Sequence, residues 1–550
     1  MSHPGKTENL FYILPVAIAL AIATGIWIGA SLFGSSGKSK QMGSSLNKFR
    51  EVLGVLEGEY VDTINPNQIT ESSINCILKD LDPHSSYIPP EEIELSKTSL
   101  ESTFEGIGIE FLIVNDTAQV ISAIKGGPSD QVGILPGDRI VEVDGSSLLG
   151  DITNKDVFNK LRGQQGTIVE LMVARPANTK LLKFSIGRAR ISSNSVEASF
   201  LLRPGIGYLK ISKFSDNTYV ECRNNLENLK RLGAKSIIVD VRDNPGGYLD
   251  RATKLVDEFL SDNKLIVYTD GKSKKYDQQY YSTPGGLFLS EPLVILVNEG
   301  SASASEILAG AIQDNDRGLI IGRRTFGKGL VQVPISLKDG SELRLTISRY
   351  YTPSGRCIQK PYKEVKNYNY DNELDDRLKK GELFSIDSIR IGTNDNYETT
   401  IGRTVYGGGG IIPDVFVPLD TLAINQFLIE MMRKNLFREF ALAYFQENKK
   451  ELEQIRKRID PNSLVLKSDT WQKFVDFTYI RKINWPVSKQ RIETEVYLNN
   501  LIKAYIARLV WGDYGYYQVL SQKDPMILTA IRKLSDAQKL FLQSKKTNPN

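Results

Sequence analysis

A short apolar run that leads into a serine-rich turn limits the fold of this chain more strongly than any other stretch. Residues 293–297 (Leu-Val-Ile-Leu-Val) have the length and β-branching of a buried strand. Small residues follow at 300–305 (GSASAS), and residues 306–312 favour a helix. Because the amides at a helix N-terminus lack partners within the helix, a serine at this junction lies where an anion can bind. Helix capping is the alternative role for these serines.

A lysine between two glycines, Lys328, follows another apolar run. Bare backbone on both sides lets another group approach it closely, although an exposed loop lysine has the same pattern. The chain has two histidines, His3 and His84, and His3 precedes the apolar N-terminal segment. A Ser-His-Asp triad would therefore have to use His84, whose flanking turn formers favour a structural loop role. A serine activated by lysine needs no histidine if burial or a nearby cation lowers the lysine pKa from about 10.4.

The segments around the serine and the lysine resemble the motifs of a known peptidase family. GSASASEILAGA (300–311) and RRTFGKGLVQ (323–332) are similar to the serine and lysine motifs of the carboxyl-terminal processing peptidases, also called tail-specific proteases. The resemblance implies a catalytic Ser/Lys dyad of Ser303 and Lys328, with Gln332 orienting the lysine. LDPHSSY (81–87) is similar to a further segment of this family.

The turn after a second buried strand also matches the family. Asp243-Asn244-Pro245-Gly246-Gly247 resembles a family segment whose backbone helps to form the oxyanion hole, with Val241 in place of a leucine. The resemblance implies that the amide of Gly246 or Gly247 acts together with that of Ala304. Asp314 is a candidate supporting acid, and it is equally a surface acid that ends a helix.

Residues 102–187 resemble a PDZ domain. FEGIGIEF (104–111) is similar to its carboxylate-binding loop and first strand, and GILPGDRIVEVDG (133–145) to a later run. A PDZ domain adds the last residues of its ligand as an extra strand, and amides of its glycine loop bind the free carboxylate. Docking of another part of this chain is the alternative use of the groove. The implied ligands of an apolar substrate C-terminus are Gly106, Ile107, Gly108 and Ile109.

Residues 10–33 carry no charge and are long enough to cross a bilayer as a helix. A cleaved signal peptide is the alternative, although its apolar core usually has only about 7–15 residues. Positive residues on both flanks leave the orientation ambiguous. Because the family acts outside the cytoplasmic membrane, we expect a tail at 1–9, a single-pass inner-membrane anchor at 10–33, a flexible linker at 34–45 and a periplasmic remainder.

The rest of the chain predicts a mixed α/β protein of several domains. We expect N-terminal helices at 46–101, a peptidase domain at 188–419 with a polar surface insertion at about 360–396, and amphipathic helices at 420–550. The resemblance implies the crotonase/ClpP-like ββα spiral for the peptidase domain, with the β-rich PDZ domain inserted before it. The C-terminal helices could cover the peptidase, bind a partner or form a homodimer.

Composition argues against several classes of function. A net charge of +4 over 550 residues gives no support to nucleic-acid binding. Three widely spaced cysteines, Cys76, Cys222 and Cys357, show neither a disulfide framework nor a zinc motif, so we expect no metal and no cofactor. The sequence predicts a serine endopeptidase that binds protein C-termini and cleaves them. An inactive PDZ scaffold and an enzyme that stays latent until its PDZ domain is occupied are the alternatives.

Overall fold

The computed structural model is of mixed α/β class, as the sequence predicts, and the chain forms two compact units, residues 1–81 and 82–550. The residues that it describes are 15, 18–25, 37–98, 101–114, 116–175, 178–362, 370, 372–389, 396–420, 426–458, 460–483, 485 and 490–547.

Two helices follow residue 36 in the first unit, α1 (Gly37–Glu59) and α2 (Pro66–Leu81). Both cover stretches whose apolar spacing predicts helices. Helix α1 nevertheless begins within the predicted flexible linker, so that prediction is wrong for residues 37–45. Lysine, glutamine and methionine are good helix formers, and they offset the glycines and serines there.

The predicted membrane anchor is not supported. Among the residues that the structure describes, no helix is both long enough and apolar enough to span a bilayer. This finding contradicts the single-pass inner-membrane anchor at 10–33 and the periplasmic location inferred with it. Within that segment the structure describes residue 15 and a helical stretch at 18–25. The rest of the segment lies outside the described residues.

The second unit opens with β1 (Ser86–Ile88) and α3 (Ile93–Thr98) and continues into a β-rich module. Strand β2 (Thr103–Gly106) pairs antiparallel with β9 (Ala189–Ser192), so the chain enters and leaves the module side by side. Between them an antiparallel sheet has the order β3-β4-β5-β7-β8, with β6 on β5. Its elements are β3 (Ile109–Val114), β4 (Thr117–Ala123), α4 (Pro128–Gln131), β5 (Arg139–Val143), β6 (Ser146–Ser147), α5 (Asn154–Leu161), β7 (Ile168–Ala174) and β8 (Leu182–Gly187).

The module has an apolar core of its own because alternate strand residues point inward. Val120, Ile140, Leu171 and Ile186 belong to this core and are fully buried. The capping box of Thr153 and Asp156 fixes the start of α5.

The main sheet of the following domain has the strand order β10-β11-β12-β15-β16-β21. Strands β10 and β11 are antiparallel, and the other neighbours are parallel. Three helices cover one face, and their apolar sides form a common core with that face. These elements are β10 (Val196–Arg203), β11 (Ile206–Ile211), α6 (Thr218–Arg231), β12 (Ser236–Asp240), α7 (Leu249–Asp257), β15 (Leu293–Val297), α8 (Ala304–Asp314), β16 (Leu319–Gly322) and β21 (Val415–Phe416).

A second sheet of this domain has the order β1-β18-β13-β14, with β17 on β18. The antiparallel pair β17–β18 confirms the predicted strands at 330–335 and 342–347. Because β1 pairs with β18, and β18 also pairs with β17, the segment around His84 lies one strand away from the strand that follows Lys328. The new strands are β13 (Leu265–Gly271), β14 (Gln278–Tyr281), β17 (Leu330–Ser336) and β18 (Glu342–Tyr351).

The predicted surface insertion at 360–396 is partly buried. It contains α9 (Glu373–Lys379), and its end at β19 (Asn396–Glu398) pairs with β20 (Thr404–Tyr406). Lys360 and Arg377 are 2% and 3% exposed, so the prediction of a solvated surface loop is wrong for them. Charged residues can be buried here because residues of opposite charge pair with them.

The C-terminal region is helical, as its apolar spacing predicts. Its first helices form a core of their own, whereas the last helix covers the second face of the main sheet. The helices are α10 (Gln426–Arg433), α11 (Leu436–Glu447), α12 (Lys449–Ile455), α13 (Thr470–Ile480), α14 (Gln490–Trp511), α15 (Asp513–Ser521) and α16 (Pro525–Thr547).

Candidate active site

Ser303 stands at the junction between β15 and α8, where it is the N-cap of the helix. Its backbone has φ 53° and ψ −112°, a region that costs a non-glycine residue about 1–3 kcal/mol. Gly246 lies directly against this turn, since a Cβ atom at residue 246 would stand 2.7 Å from the Ser303 Cβ. Only glycine fits at 246, because its φ of 97° also disfavours any side chain.

Two backbone amides near Ser303 remain available for a ligand. The Gly246 amide donates to Asn244 Oδ1 at 2.9 Å and is therefore occupied. Within the described part of the chain, neither the Gly247 amide nor the Ala304 amide donates a hydrogen bond. Ala304 is the first residue of α8, where amides have no partner inside the helix.

Lys328 is held by Gln332, which lies four residues later in β17. Its Nζ donates to Gln332 Oε1 at 3.0 Å, and Gln332 Nε2 donates in turn to the His84 carbonyl. Burial lowers the pKa of Lys328 below its ordinary value, whereas the carboxylates of Asp82 and Glu306 act in the opposite direction. The neutral amine is therefore more accessible than for an exposed lysine.

In the described part of the chain, the His84 ring makes no hydrogen bond to Ser303. Among the described residues, the hydrogen-bond partner of its Nε2 is the Tyr370 hydroxyl at 2.6 Å. Burial, with the charge of Lys328 as the next cause, lowers the pKa of His84 to about 4. The ring is thus neutral at pH 7, and its backbone carbonyl supports Gln332.

Glu306 connects the serine turn to the lysine loop, and the sequence reasoning missed it. Its Oε2 accepts from the amides of Ser303 at 2.8 Å and Lys328 at 2.9 Å. Its Oε1 accepts from the Gly327 amide and the Thr325 hydroxyl. Burial raises the pKa of Glu306 to about 7, while these four hydrogen bonds act in the opposite direction. The serine and the glutamate three residues later have the spacing of a capping box, which could have identified Glu306.

Tyr350 is a second residue that the sequence reasoning missed. Its hydroxyl lies 2.6 Å from the Lys328 carbonyl and 3.0 Å from the Ser303 carbonyl. The side chain reaches both because β18 runs beside the strand that follows Lys328. No pattern in the local sequence reveals this contact, since it depends on the register of two strands.

One cavity of about 550 Å³ brings most of the predicted catalytic residues together. Apolar side chains, among them Leu249 and Ile307, form part of its wall. The predicted residues in its lining are Ser303, Lys328, Gln332, Gly246 and Gly247.

The structure does not bring Asp314 to this cavity. Asp314 ends α8, ten residues beyond Ala304 and therefore about 15 Å along the helix. Its carboxylate pairs with Arg356 at 2.7 Å and accepts from Ser354, and both charged side chains are buried. Asp314 therefore fixes the far end of the helix that carries the serine.

The four residues predicted to bind a peptide C-terminus form the link between β2 and β3. The carbonyls of Ile107 and Gly108 accept from Ser129 and Ile124. In the described part of the chain, the amides of Ile107 and Gly108 donate no hydrogen bond. Ile109 begins β3, the end strand of its sheet.

Helix α5 lies beside β3. The rings of Phe111 on β3 and Phe158 on α5 meet edge to face, with centroids 5.3 Å apart. The strand and the helix therefore form the two sides of a groove that starts at the loop of residues 106–109.

Comparisons with known proteins agree with this architecture. The model of peptidase family S41 matches residues 205–366, that of a PDZ domain matches 119–175, and a family of unknown function matches 427–512. A carboxy-terminal-processing protease of Bartonella bacilliformis is 36% identical over 318 residues, which cover 57% of this chain and 72% of that protein. The carboxy-terminal processing protease CtpB of Bacillus subtilis is 33% identical over 320 residues, or 58% and 66% of the two chains. The solved structure of a photosystem II D1 C-terminal processing protease is 27% identical, with a TM-score of 0.35. The match covers 69% of this chain and 88% of that one.

Proposed function

This chain belongs to the carboxy-terminal processing proteases, a family of serine peptidases, and on that basis we propose that Ser303 is its nucleophile and Lys328 its general base. One observation carries the proposal. Ser303 and Lys328 line the same cavity, and a single buried carboxylate, that of Glu306, accepts hydrogen bonds from the amides of both.

The dyad works through transfer of one proton. Neutral Lys328 takes the hydroxyl proton of Ser303 while the serine Oγ bonds to the scissile carbonyl carbon. The lysine then gives this proton to the leaving amine, and the C–N bond breaks to leave an acyl-enzyme. A water molecule, activated by the same lysine, hydrolyses the ester and restores Ser303. Gln332 keeps the lysine Nζ in place by accepting one of its hydrogen bonds.

The amides of Gly247 and Ala304 form the oxyanion hole in this proposal. They suit this role because neither donates a hydrogen bond within the described part of the chain, whereas the Gly246 amide already donates to Asn244. Loss of one such donor costs about 10²–10³ in rate. Gly246 contributes by its small size, which lets the turn lie against Ser303.

The PDZ module would capture the substrate before cleavage. The amides of Ile107 and Gly108 are suited to a terminal carboxylate, and the edge of β3 can accept the last residues as an added strand. Aromatic residues along the groove suit an apolar C-terminal side chain. We infer that Gly106 and Ile109 shape the two ends of this site.

Three variants of the full chain test the dyad on an unfolded protein that ends in apolar residues. We expect Ser303→Ala and Lys328→Ala to lose at least about 10³ in kcat, because each removes one partner of the proton transfer. His84→Ala should still cut, although more slowly, since its ring bonds Tyr370 and makes no hydrogen bond to Ser303 in the described part of the chain. Thermal unfolding of each variant verifies that it is folded.

A different pattern would refute this proposal. If folded His84→Ala is inactive while Lys328→Ala cuts, the base is histidine. If wild type cleaves no substrate, even with a saturating apolar C-terminal peptide to occupy the PDZ domain, the chain is a scaffold.

A further inference from the structure

A buried cluster of five charged side chains joins the insertion at 360–396 to the loop before Lys328. Four members are less than 9% exposed, and the side chain of Arg324 is 11% exposed. Burying such ions costs several kcal/mol each unless they are paired in good geometry. The members of this insertion cluster are Arg324, Lys360, Glu373, Arg377 and Glu382.

Each carboxylate of the insertion cluster accepts hydrogen bonds from two cationic side chains. Glu382 binds Arg324 at 2.6 Å and Arg377 at 2.8 Å. Glu373 binds Lys360 at 2.8 Å and reaches Arg324 at 3.4 Å. The cluster thus has three cations and only two carboxylates. Backbone carbonyls accept the hydrogen bonds that the carboxylates do not.

Two of the carbonyls that accept from these cations belong to the loop that ends at Lys328, and a third is that of Gly409. Arg377 donates to the Arg324 carbonyl at 2.7 Å and to the Thr325 carbonyl at 3.1 Å. The backbone amide of Lys360 donates to the Gly327 carbonyl at 2.9 Å. The insertion therefore binds three of the four residues that precede the lysine.

A second connection runs from the insertion to the lysine side chain. Tyr370 bonds the His84 ring, the His84 carbonyl accepts from Gln332, and Gln332 accepts from Lys328. Lys360 Nζ lies 4.0 Å from the centroid of the Tyr370 ring, which ties this route to the insertion cluster. Residues of the insertion therefore hold the loop that leads to Lys328 and, through His84 and Gln332, also support the Lys328 side chain.

We propose that the described part of the insertion is a positioning element for the general base, with Arg377 and Tyr370 as its positioning residues. This inference rests on the proposed function, because it takes Lys328 to be the base. A purely structural insertion would need only apolar burial, which is cheaper than five buried charges. The insertion cluster instead places directional hydrogen bonds on the carbonyls that set the lysine backbone.

The test compares full-chain variants by kcat, KM and the pH dependence of kcat/KM. Arg377→Met removes both carbonyl contacts, and we expect kcat to fall at least tenfold with little change in KM. Arg377→Lys, which keeps the charge, should recover part of the loss. Tyr370→Phe keeps the ring but not the hydroxyl and should lower kcat about threefold or more. Lys379→Met is the matched control, since Lys379 is exposed on the same helix.

The pH profile separates positioning from simple destabilisation. The groups that face Lys328 are Asp82, Glu306, His84 and Arg344, and none of them is changed in these variants. A lysine released from its place gains solvent, so the acidic limb of the profile should move to higher pH in Arg377→Met and Tyr370→Phe. Variants that only lowered stability would leave this limb where it is in wild type.

The outcomes distinguish this inference from the dyad itself. If Lys328→Ala is inactive while Arg377→Met and Tyr370→Phe match Lys379→Met in kcat and pH profile, the inference is wrong and the dyad stands. If Lys328→Ala cleaves like wild type, the dyad has failed and the inference falls with it. Should Arg377→Met not fold, Tyr370→Phe decides alone, because it alters a single hydroxyl.

Discussion

Glu306 shows how much of this site depends on one acceptor group. Each of its oxygens accepts two hydrogen bonds, and all four donors are N–H or O–H groups. In Glu306→Gln the new NH₂ group must face two donors, so the serine turn or the lysine loop has to move. We expect kcat to fall about 10²-fold or more, which corresponds to roughly 2.7 kcal/mol. The measurement is kcat on the unfolded substrate, with the exposed Glu227→Gln as control; equal activity of both variants would contradict this role.

The same carboxyl predicts a pH dependence of stability. Burial raises the pKa of Glu306 to about 7, above a free glutamate at about 4.3. A raised folded-state pKa stabilises the fold below the unfolded value, and this contribution is lost as pH rises through about 7. The Tm advantage of wild type over Glu306→Gln should therefore shrink from pH 5 to pH 8. A constant Tm difference over this interval would show that the carboxyl does not titrate there.

Some site residues could be predicted from the sequence because local motifs carry them. Ser303, Lys328 and Gln332 lie in short segments of fixed spacing, and the structure brings all three to one cavity. Tyr350 could not be predicted, since its position depends on the pairing of β17 with β18. Asp314 was placed near the site by distance along the chain, whereas its partner Arg356 approaches from elsewhere in the fold.

At residue 310 in helix α8, helix propensity favours alanine whereas the packing favours glycine. Gly310 lies inside this helix, where alanine is ordinarily better by about 1 kcal/mol. A Cβ atom there would stand 2.7 Å from Thr352 Cγ2, and Thr352 is 1% exposed. We expect Gly310→Ala to lower the free energy of unfolding by about 1–3 kcal/mol.

The matched test of this packing is a second substitution. Thr352→Ser removes the methyl group that the new Cβ would meet, so the double variant should recover most of the loss. Urea denaturation of the two single variants and the double variant measures the coupling. Simple additivity of the two single effects would contradict the clash.

Single helices and strands could be predicted where hydrophobic periodicity determines the secondary structure. The strand at 293–297 and the pair β17–β18 agree with their patterns. The insertion at 360–396 was predicted as surface because a dense run of charges ordinarily stays in water. Its burial depends on ion pairs between distant residues, such as Arg324 with Glu382, which no local pattern reveals.

The last helix connects the C-terminal region to the stability of the whole domain. Ala530 on α16 is fully buried against the main sheet, in one core with Tyr208 and Ile321. Ala530→Asp would place an unpaired charge there, and we expect a loss of about 3 kcal/mol or more together with loss of peptidase activity. The control is Ser535→Asp on the exposed side of the same helix, which should stay within about 0.5 kcal/mol of wild type. Denaturant unfolding and cleavage are measured on both, and similar values would refute this role of α16.

The arrangement of the larger parts could not be predicted, although their helical and β-rich classes could. Amphipathic spacing shows that a helix covers something without showing which surface it covers. In the structure, the C-terminal helices contact the PDZ module as well as the main sheet. Glu110 of β3 pairs with Arg508 at 2.8 Å and with Arg438 at 3.5 Å.

The cover that α16 provides has a consequence for the timing of biosynthesis. The second face of the main sheet becomes a closed core only when residues 525–547 are present. About 200 residues separate them from Lys328, which a ribosome adds over on the order of 10–40 s. During that interval the nascent chain holds its serine and its lysine on an unfinished domain. We therefore expect peptidase activity to appear only after residues 525–547 have been synthesised and have packed on the sheet.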